Sequence, residues 1–400
     1  MTKELEKFLK VGQEPQETKL LNMLLRTKGK AINIDNHLVG RVTRNIANLD
    51  ENTFLLVEDK IVSIPQEEHL AILTKELEYD TNGIEKIVYK IPTLDHLSEG
   101  DIISVGNDGN INTLYRINSN HNTLLATERC NSNCLMCSQP PRDRNDVPML
   151  YEIHKKLIPL IPKDCIELGI SGGEPTLMGE YFFELIKQLK EELPNTEIHV
   201  LTNGRTFAWN ELAERLGEID HKRLMLGIPL YSDYYQVHDY IVQAENAFYQ
   251  TILGFHNLAR YNQRVELRVV LHKQSIPRLT RLARYIYKNL PFVEHVAFMG
   301  LEYIGYTPHN IDKLWIDPYD YQKELEEAVE FLSVQGMNVS IYNTPLCLIP
   351  DNLWDYSRKS ISDWKNDYLP ECETCSKLED CGGLFTWNLK KHSEYIQPFA

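Results

Sequence analysis

No apolar stretch in the 400-residue chain approaches the roughly 18 residues that a membrane helix needs, which argues against a spanning helix. The opening, Met1-Thr-Lys-Glu-Leu-Glu-Lys-Phe-Leu-Lys10, lacks the uninterrupted apolar segment of a secretory signal, so a cytoplasmic protein is expected. Basic side chains are in deficit: 42 Lys and Arg stand against 57 Asp and Glu, and the formal charge of -15 repels phosphate backbones and anionic lipid. Nucleic acid and membrane are therefore not expected as partners. The 13 histidines form no His-x3-His or His-Glu-x2-His pair, and there is no Gly-x4-Gly-Lys-Ser/Thr loop, which leaves zinc-protease and P-loop chemistry without footing. Cysteine is also scarce. Eight in 400 residues are too few for a disulfide scaffold, and in a reducing compartment their spacing reports on metal or catalysis. What is present, 42% apolar and 25% charged residues, is the composition of a soluble globular protein, at a length that suggests two or three domains.

Short runs rich in Val, Ile and Thr, at 39–44, 54–57 and 101–105, are separated by Gly, Asn and Asp and predict a small β-rich domain over 1–117. Glu99-Gly100-Asp101 and Asn107-Asp-Gly-Asn110 read as turns, the second supplying a positive φ between two short strands. From 118 to 315, apolar strands alternate with amphipathic helices, the pattern of βα units around a largely parallel sheet. Strands are expected at 121–127, 165–170, 197–202, 223–230, 265–272 and 295–299, with helices at 181–193, 209–216, 247–261 and 276–289. Such a set makes a partial barrel, a full barrel or an open wound sheet, and periodicity does not choose among them. Past 316, Asp317-Pro318 opens a helix expected at 321–333, a strand follows at 338–342, and the irregular tail to 400 holds half of the cysteines.

Seven of the eight cysteines fall into two groups. Cys130-Asn-Ser-Asn-Cys134-Leu-Met-Cys137 sets three thiols at C-x3-C-x2-C spacing just after a strand. Three thiolates on a short loop suit three irons of a cubane and leave the fourth iron open. A structural zinc would want a fourth protein ligand, and neither Cys nor His follows Cys137 within the next 15 residues. Gly172-Gly173-Glu174-Pro175 stands about 35 residues further on, at a strand end. Its glycines let backbone approach a ligand, Glu174 offers a carboxylate to an ammonium group, and Pro175 fixes the turn. Cys165, inside a strand, is expected to be a core residue.

This pairing resembles the radical S-adenosylmethionine (SAM) enzymes over roughly 118–315. The resemblance implies an α/β fold, the (βα)6 partial TIM barrel of that superfamily, here following the β-rich domain. It implies that Cys130, Cys134 and Cys137 hold a 4Fe-4S cluster whose open iron chelates SAM. Gly172, Gly173, Glu174 and Pro175 would contact the methionyl part, with Met136 beside the adenine where an aromatic residue is usual. Asn203, in Leu201-Thr-Asn-Gly204, would lie near the cofactor. Pro229 stands where the family has a Ser toward the ribose, so Ser232 or Asp233 would replace that contact. Val237-His238-Asp239 is similar to the peptide-modifying branch. The implied activity is reductive cleavage of SAM to a 5'-deoxyadenosyl radical that takes a hydrogen atom from substrate.

The second group is Cys347, Cys372, Cys375 and Cys381. Four thiolates close a complete site, for either a fully ligated 4Fe-4S cluster or zinc. C-x2-C-x5-C followed by Gly382-Gly383 resembles the C-terminal extension called SPASM, in its shorter twitch form because Phe385 stands where the longer form has a further cysteine. That implies an auxiliary 4Fe-4S cluster within 316–400. Met136-Cys-Ser-Gln-Pro-Pro141, Ile361-Ser-Asp-Trp-Lys-Asn366 and 370–383, with the β-rich leader, are similar to radical maturases of the His-Xaa-Ser peptide system. This implies a ribosomally made precursor peptide as substrate, a second radical SAM maturase encoded nearby and an external electron donor. The alternatives are a sulfatase-type protein maturase, a small-metabolite radical enzyme and a non-catalytic, zinc-stapled binding protein. No residue is assigned as catalytic acid or base.

Overall fold

A computed structural model describes residues 25–58, 68–76, 86–360, 362 and 365–400. The motif at 361–366 therefore lies in part outside the described residues. Packing groups the chain into two units, 1–123 with 152–165, and 124–151 with 166–400.

In the first unit, eight strands form one mixed sheet. They are β1 (Arg26–Lys28), β2 (Lys30–Ile32), β3 (Leu38–Thr43), β4 (Thr53–Val57), β5 (Ala71–Thr74), β6 (Ile87–Tyr89), β7 (Ile102–Val105) and β8 (Asn110–Tyr115), in the order β1-β8-β7-β3-β4-β5-β6-β2. Val42, Phe54, Leu56, Leu73, Val88 and Ile103 pack into its core. Both expected turns are present, with Gly100 at φ +86 and Gly109 at φ +78.

The second sheet runs in strict sequence order through β9 (His121–Leu125), β10 (Glu167–Ser171), β11 (Glu197–Leu201), β12 (Leu224–Pro229), β13 (Arg264–Val270), β14 (His295–Met299), β15 (Val339–Tyr342) and β16 (Ser357–Arg358). Neighbours from β10 to β16 pair in parallel. Strand order that never reverses is that of a barrel wall and not of a doubly wound sheet. β9 and β16 are the two edges, so the barrel is partial. Helices between the strands are α1 (Val147–Leu157), α2 (Glu180–Glu192), α3 (Asn210–Ile219), α4 (Tyr235–Val242), α5 (Ala247–Arg260), α6 (Leu279–Asn289), α7 (Ile311–Leu314) and α8 (Gln322–Val334). Each longer helix buries a stripe at helical spacing, for example Leu279, Leu282, Ala283 and Ile286 of α6. One face of every strand from β10 to β15 is apolar and sealed, from Leu168 and Ile170 to Val339 and Ile341.

Beyond residue 316, α8, β15 and β16 continue the same parallel sheet. Cys165 is buried, as expected.

Candidate active site and its two thiol groups

The three-thiol loop leaves β9 and is fastened on several sides. The Asp146 carboxylate accepts from Thr127 Oγ1 at 2.6 Å and from the Glu128 N–H at 2.7 Å. The Asn133 and Leu135 N–H groups donate to Val242 and Ile241 at the end of α4. Arg205 donates to Ser132 Oγ at 3.0 Å and to the Asn131 carbonyl. Asn203 Nδ2 donates to Asn131 Oδ1 at 2.5 Å, placing Asn203 beside the loop as expected. Arg205 was missed by sequence reading, although its place directly after Thr202-Asn203-Gly204 was a signal.

Gly172 and Gly173 lie against the loop's own backbone. A Cβ on Gly172 would stand 2.4 Å from the Thr127 carbonyl oxygen, and one on Gly173 would stand 2.1 Å from that of Arg129. Gly172 also has φ +142. The Gly173 and Glu174 N–H groups donate to Thr127 and Arg129 at 2.7 and 2.8 Å. The glycines thus serve the loop's close approach first, where the sequence suggested close approach to a ligand.

The Glu174 side chain is fully buried and accepts from the Thr176 N–H at 3.1 Å, Thr176 Oγ1 at 2.7 Å, Thr202 Oγ1 at 2.6 Å and the Asn203 N–H at 2.7 Å. Through these donors it ties the end of β10 to the end of β11. Pro175 is buried at the first position of a short 3-10 turn, leaving Gly172 and Gly173 half-exposed.

Ser232 is fully buried, and its Oγ accepts from the Tyr234 N–H at 3.1 Å. Asp233 is held by both arms of Arg278, at 2.6 and 2.8 Å. Met136 packs with Leu135, Tyr231, Ile241 and Leu301 in an apolar cluster, consistent with an adaptable filler beneath the loop. His238 is buried, with Nδ1 accepting from the Tyr231 N–H at 3.3 Å, and burial pushes its pKa down to about 3. It is neither a cap nor a surface residue.

The thiols themselves need a partner charge. Burial pushes Cys130 up to about 11, and burial with the neighbouring Cys137 and Cys130 thiols pushes Cys134 higher still. Thiolates become stable here only against a bound cation. Among the described residues no three Cys, His, Asp or Glu side chains converge on one point as ligands of a single ion do. A cubane spreads its ligands over several metal atoms, and the donor set of three soft thiols fits one.

In the C-terminal region all four remaining thiols line one pocket, walled by Leu346, Leu369, Leu384, Ile396 and Phe399. Cys347 and Cys372 sit in short 3-10 turns, while Gly382 lets the chain after Cys381 pass close to β16 and Gly383 close to Asn366 and Asp367. The sulfurs take backbone hydrogen bonds, Cys381 from Leu346 at 3.4 Å and Cys375 from Phe399 at 3.3 Å. Burial raises the Cys347 and Cys372 pKa values while backbone hydrogen bonds with Gln397 and Leu369 oppose it. The 396–399 segment went unnoticed in the sequence because it carries no ligand. A lipophilic pocket with N–H groups aimed at four sulfurs fits an iron–sulfur cluster.

The loop after β14 joins the three-thiol loop to the segment that follows Cys381. The Tyr306 N–H donates to the Cys137 carbonyl at 2.9 Å and Asn310 Nδ2 to that of Leu135 at 2.9 Å. At its other end Asn388 Oδ1 accepts from the Tyr303 N–H at 2.8 Å, and Asn388 Nδ2 donates to the Leu301 carbonyl at 2.8 Å.

Residues 124–286 match the Radical SAM superfamily. The chain is 24% identical over 172 residues to the uncharacterized protein MJ0907 of Methanocaldococcus jannaschii, covering 42% of this chain and 58% of the relative. It is 23% identical over 236 residues to a probable GTP 3',8-cyclase of Saccharolobus solfataricus, covering 58% and 71%. Among solved structures, SuiB of Streptococcus suis bound to S-adenosylmethionine aligns with a TM-score of 0.44 at 15% identity, over 55% of this chain and 49% of that one. Native anSMEcpe with bound AdoMet aligns at 0.41 and 20% identity, over 55% and 62%. The chain thus spans about half of SuiB and under three fifths of the first relative. The three-thiol loop, the glycine pair and strands β10 to β13 of the barrel-type sheet all lie inside the segment, residues 124–286, that matches the Radical SAM superfamily.

Proposed function

We propose that the protein is a peptide maturase of the His-Xaa-Ser system, of the HxsC type, acting in the cytoplasm on a ribosomally made precursor. With a 4Fe-4S cluster on Cys130, Cys134 and Cys137 and SAM bound there, the chemistry supplied is reductive cleavage to a 5'-deoxyadenosyl radical that abstracts a hydrogen atom. The chain's own part is placement. Arg205 and Asp146 hold the loop over the strand ends, and the Gly172-Gly173 backbone presents the loop's rim. Cys347, Cys372, Cys375 and Cys381 would hold an auxiliary 4Fe-4S cluster in the pocket they line, and residues 301–310 tie the Cys137 carbonyl to Asn388 in the segment after Cys381. The observation that carries the reading is this pair of thiol sites in one packing unit. It supports an oxidation or cross-link in which a second centre accepts an electron. An external electron donor and a second radical maturase belong to the same reading, as does the division into 1–117, 118–315 and 316–400 by role.

The test incubates anaerobically purified protein with SAM, dithionite and the precursor encoded beside its gene, reading 5'-deoxyadenosine and peptide mass. A mass change lost on replacing Cys130, Cys134 and Cys137 by Ala is expected. Cofactor cleavage without any peptide change overturns it. Iron, sulfide and zinc are measured on the same samples: about eight iron falling to about four in the triple variant is expected, whereas zinc without sulfide sinks the cluster assignment. A second reading, a small-metabolite radical enzyme, draws on the GTP 3',8-cyclase relatives, and GTP replaces the peptide in a parallel reaction.

A further inference from the structure

Barrel interiors are ordinarily filled with branched apolar side chains. Here the inner face of the sheet is polar. His199 on β11, Glu266 and Arg268 on β13, His295 on β14 and Ser340 on β15 alternate with the sealed apolar residues and meet one another. His295 Nδ1 lies 2.7 Å from Glu266 Oε2 and its Nε2 3.0 Å from Ser340 Oγ. His199 Nε2 and Arg268 Nε lie 3.5 and 3.2 Å from Glu266 Oε1. A glycine opens the space they occupy: a Cβ on Gly227 of β12 would stand 2.8 Å from His199 Nε2 and 3.2 Å from Arg268 Cδ.

Glu266 is well served. Burial alone would raise its pKa, but hydrogen bonds with His199 and His295 and the Arg268 charge hold it well below the ordinary carboxylate range. Arg268 is not. Its side chain is 14% exposed, yet apart from the ion pair to Glu266 it donates no hydrogen bond among the described residues. A guanidinium carries five donors in a rigid fork; here the buried Nε faces Glu266, and the two terminal nitrogens keep their donors for another group. Arg268 is paired with Pro229 at the end of β12, and Tyr231, two residues on, packs with Leu135 and Met136 of the three-thiol loop. The unspent fork therefore lies on the side of the barrel that the three-thiol loop closes.

We propose that Arg268 is a carboxylate receptor inside the barrel, taking an acidic group of the substrate peptide, with Glu266, His199 and His295 as residues that position the guanidinium. The fork pairs two nitrogens with two carboxylate oxygens, a geometry that lysine does not reproduce. The proposal rests on the peptide reading above. The methionyl carboxylate of SAM is the other source of the same chemistry, and the experiment separates the two.

Cluster-loaded wild type, Arg268→Met and Arg268→Lys are titrated calorimetrically, with SAM present, against the precursor peptide in two forms, one with free acids and one with its Asp, Glu and C-terminal carboxyls amidated. Wild type is expected to bind the acid form at least about tenfold tighter, a preference lost in Arg268→Met and partly kept in Arg268→Lys. SAM affinity by equilibrium dialysis and iron content stay unchanged in both variants. The proposal is overturned if the preference survives in Arg268→Met, or if SAM affinity falls while the preference stays. Should wild type bind neither peptide form, the peptide reading fails, and Arg268 is then probed by phenylglyoxal modification mapped by mass spectrometry. Succinate slowing that modification several-fold supports a carboxylate receptor, and no protection overturns it.

Discussion

At the residue scale, Glu174 is the side chain on which most hydrogen bonds of the site converge. Its four donors come from the turn after β10 and the turn after β11, so the carboxylate fixes two strand ends at one distance. Glu174→Ala is expected to cost ~3 kcal/mol, read as a fall in the urea midpoint, since charge-assisted hydrogen bonds are lost and buried donors are left unpaired. Gly173→Ala tests the neighbouring contact. A methyl 2.1 Å from the Arg129 carbonyl must push the three-thiol loop outward, so about four iron per chain should be lost while the other site keeps its own. Buried histidines give a third expectation. Burial depresses both His238 and His272 to about 3, whereas an unfolded histidine titrates near about 6.5. Between those values the unfolded chain takes up protons that the folded chain refuses, so stability is full above about pH 6.5 and falls as pH drops toward about 3. The urea midpoint should be lower at about pH 5 than at about pH 7, and His272→Gln should narrow the gap.

The cysteine and glycine motifs were legible because their chemistry is packed into a few consecutive positions. The barrel's polar layer was not, since His199, Glu266, Arg268 and His295 come from three strands far apart in sequence. A signal did exist. Val265-Glu266-Leu267-Arg268-Val269 alternates with period two, although a parallel strand covered on both faces reads as continuously apolar. Alternation in a βα pattern means a polar chamber on one side.

Among the elements, the loop between β14 and α7 carries the most consequence for its length. Gly305 has φ +63, and a Cβ there would stand 2.2 Å from the Cys137 carbonyl oxygen. Asn388→Ala should leave the Tyr303 N–H and the Leu301 carbonyl unpaired, costing about 1–3 kcal/mol. Faster amide exchange at 301–306 is the measurement, with unchanged exchange in α2 as the control. The longer elements fell within one to three residues of their expected bounds, as for α2, α5, α8 and β14, because their apolar spacing runs to the ends. Three helices were missed, the four-residue α7 among them. α4 has eight residues, and its tyrosines obscured the period; α1 begins Val147-Pro148, a proline-marked start that the preceding polar loop masked. β16, with two residues, is set by pairing to β15 and leaves no local pattern.

For the whole molecule, the acidic balance and the two thiol groups could be read from composition, while the packing units could not. Strand pairing carries on through β15 and β16, past the point where the alternation of strands and helices gives way in the sequence. Chelation of cluster iron by a strong iron chelator under air should therefore lower the thermal midpoint of the 166–400 unit and leave exchange in β3, β4 and β7 unchanged. A midpoint insensitive to iron would count against cluster binding as part of that unit's stability.

β16 lies in the stretch between Cys347 and Cys372, two thiols of one pocket. It is also an open edge of the barrel sheet. Holding both cysteines closes a loop around that edge and keeps a two-residue strand, too short to template another chain, in place over β15. Release of the loop would bare the backbone of β15, whose Val339, Ile341 and Tyr342 suit strand addition. The metal-free protein should thus fail first by self-association, as turbidity that rises with concentration, before its helices melt.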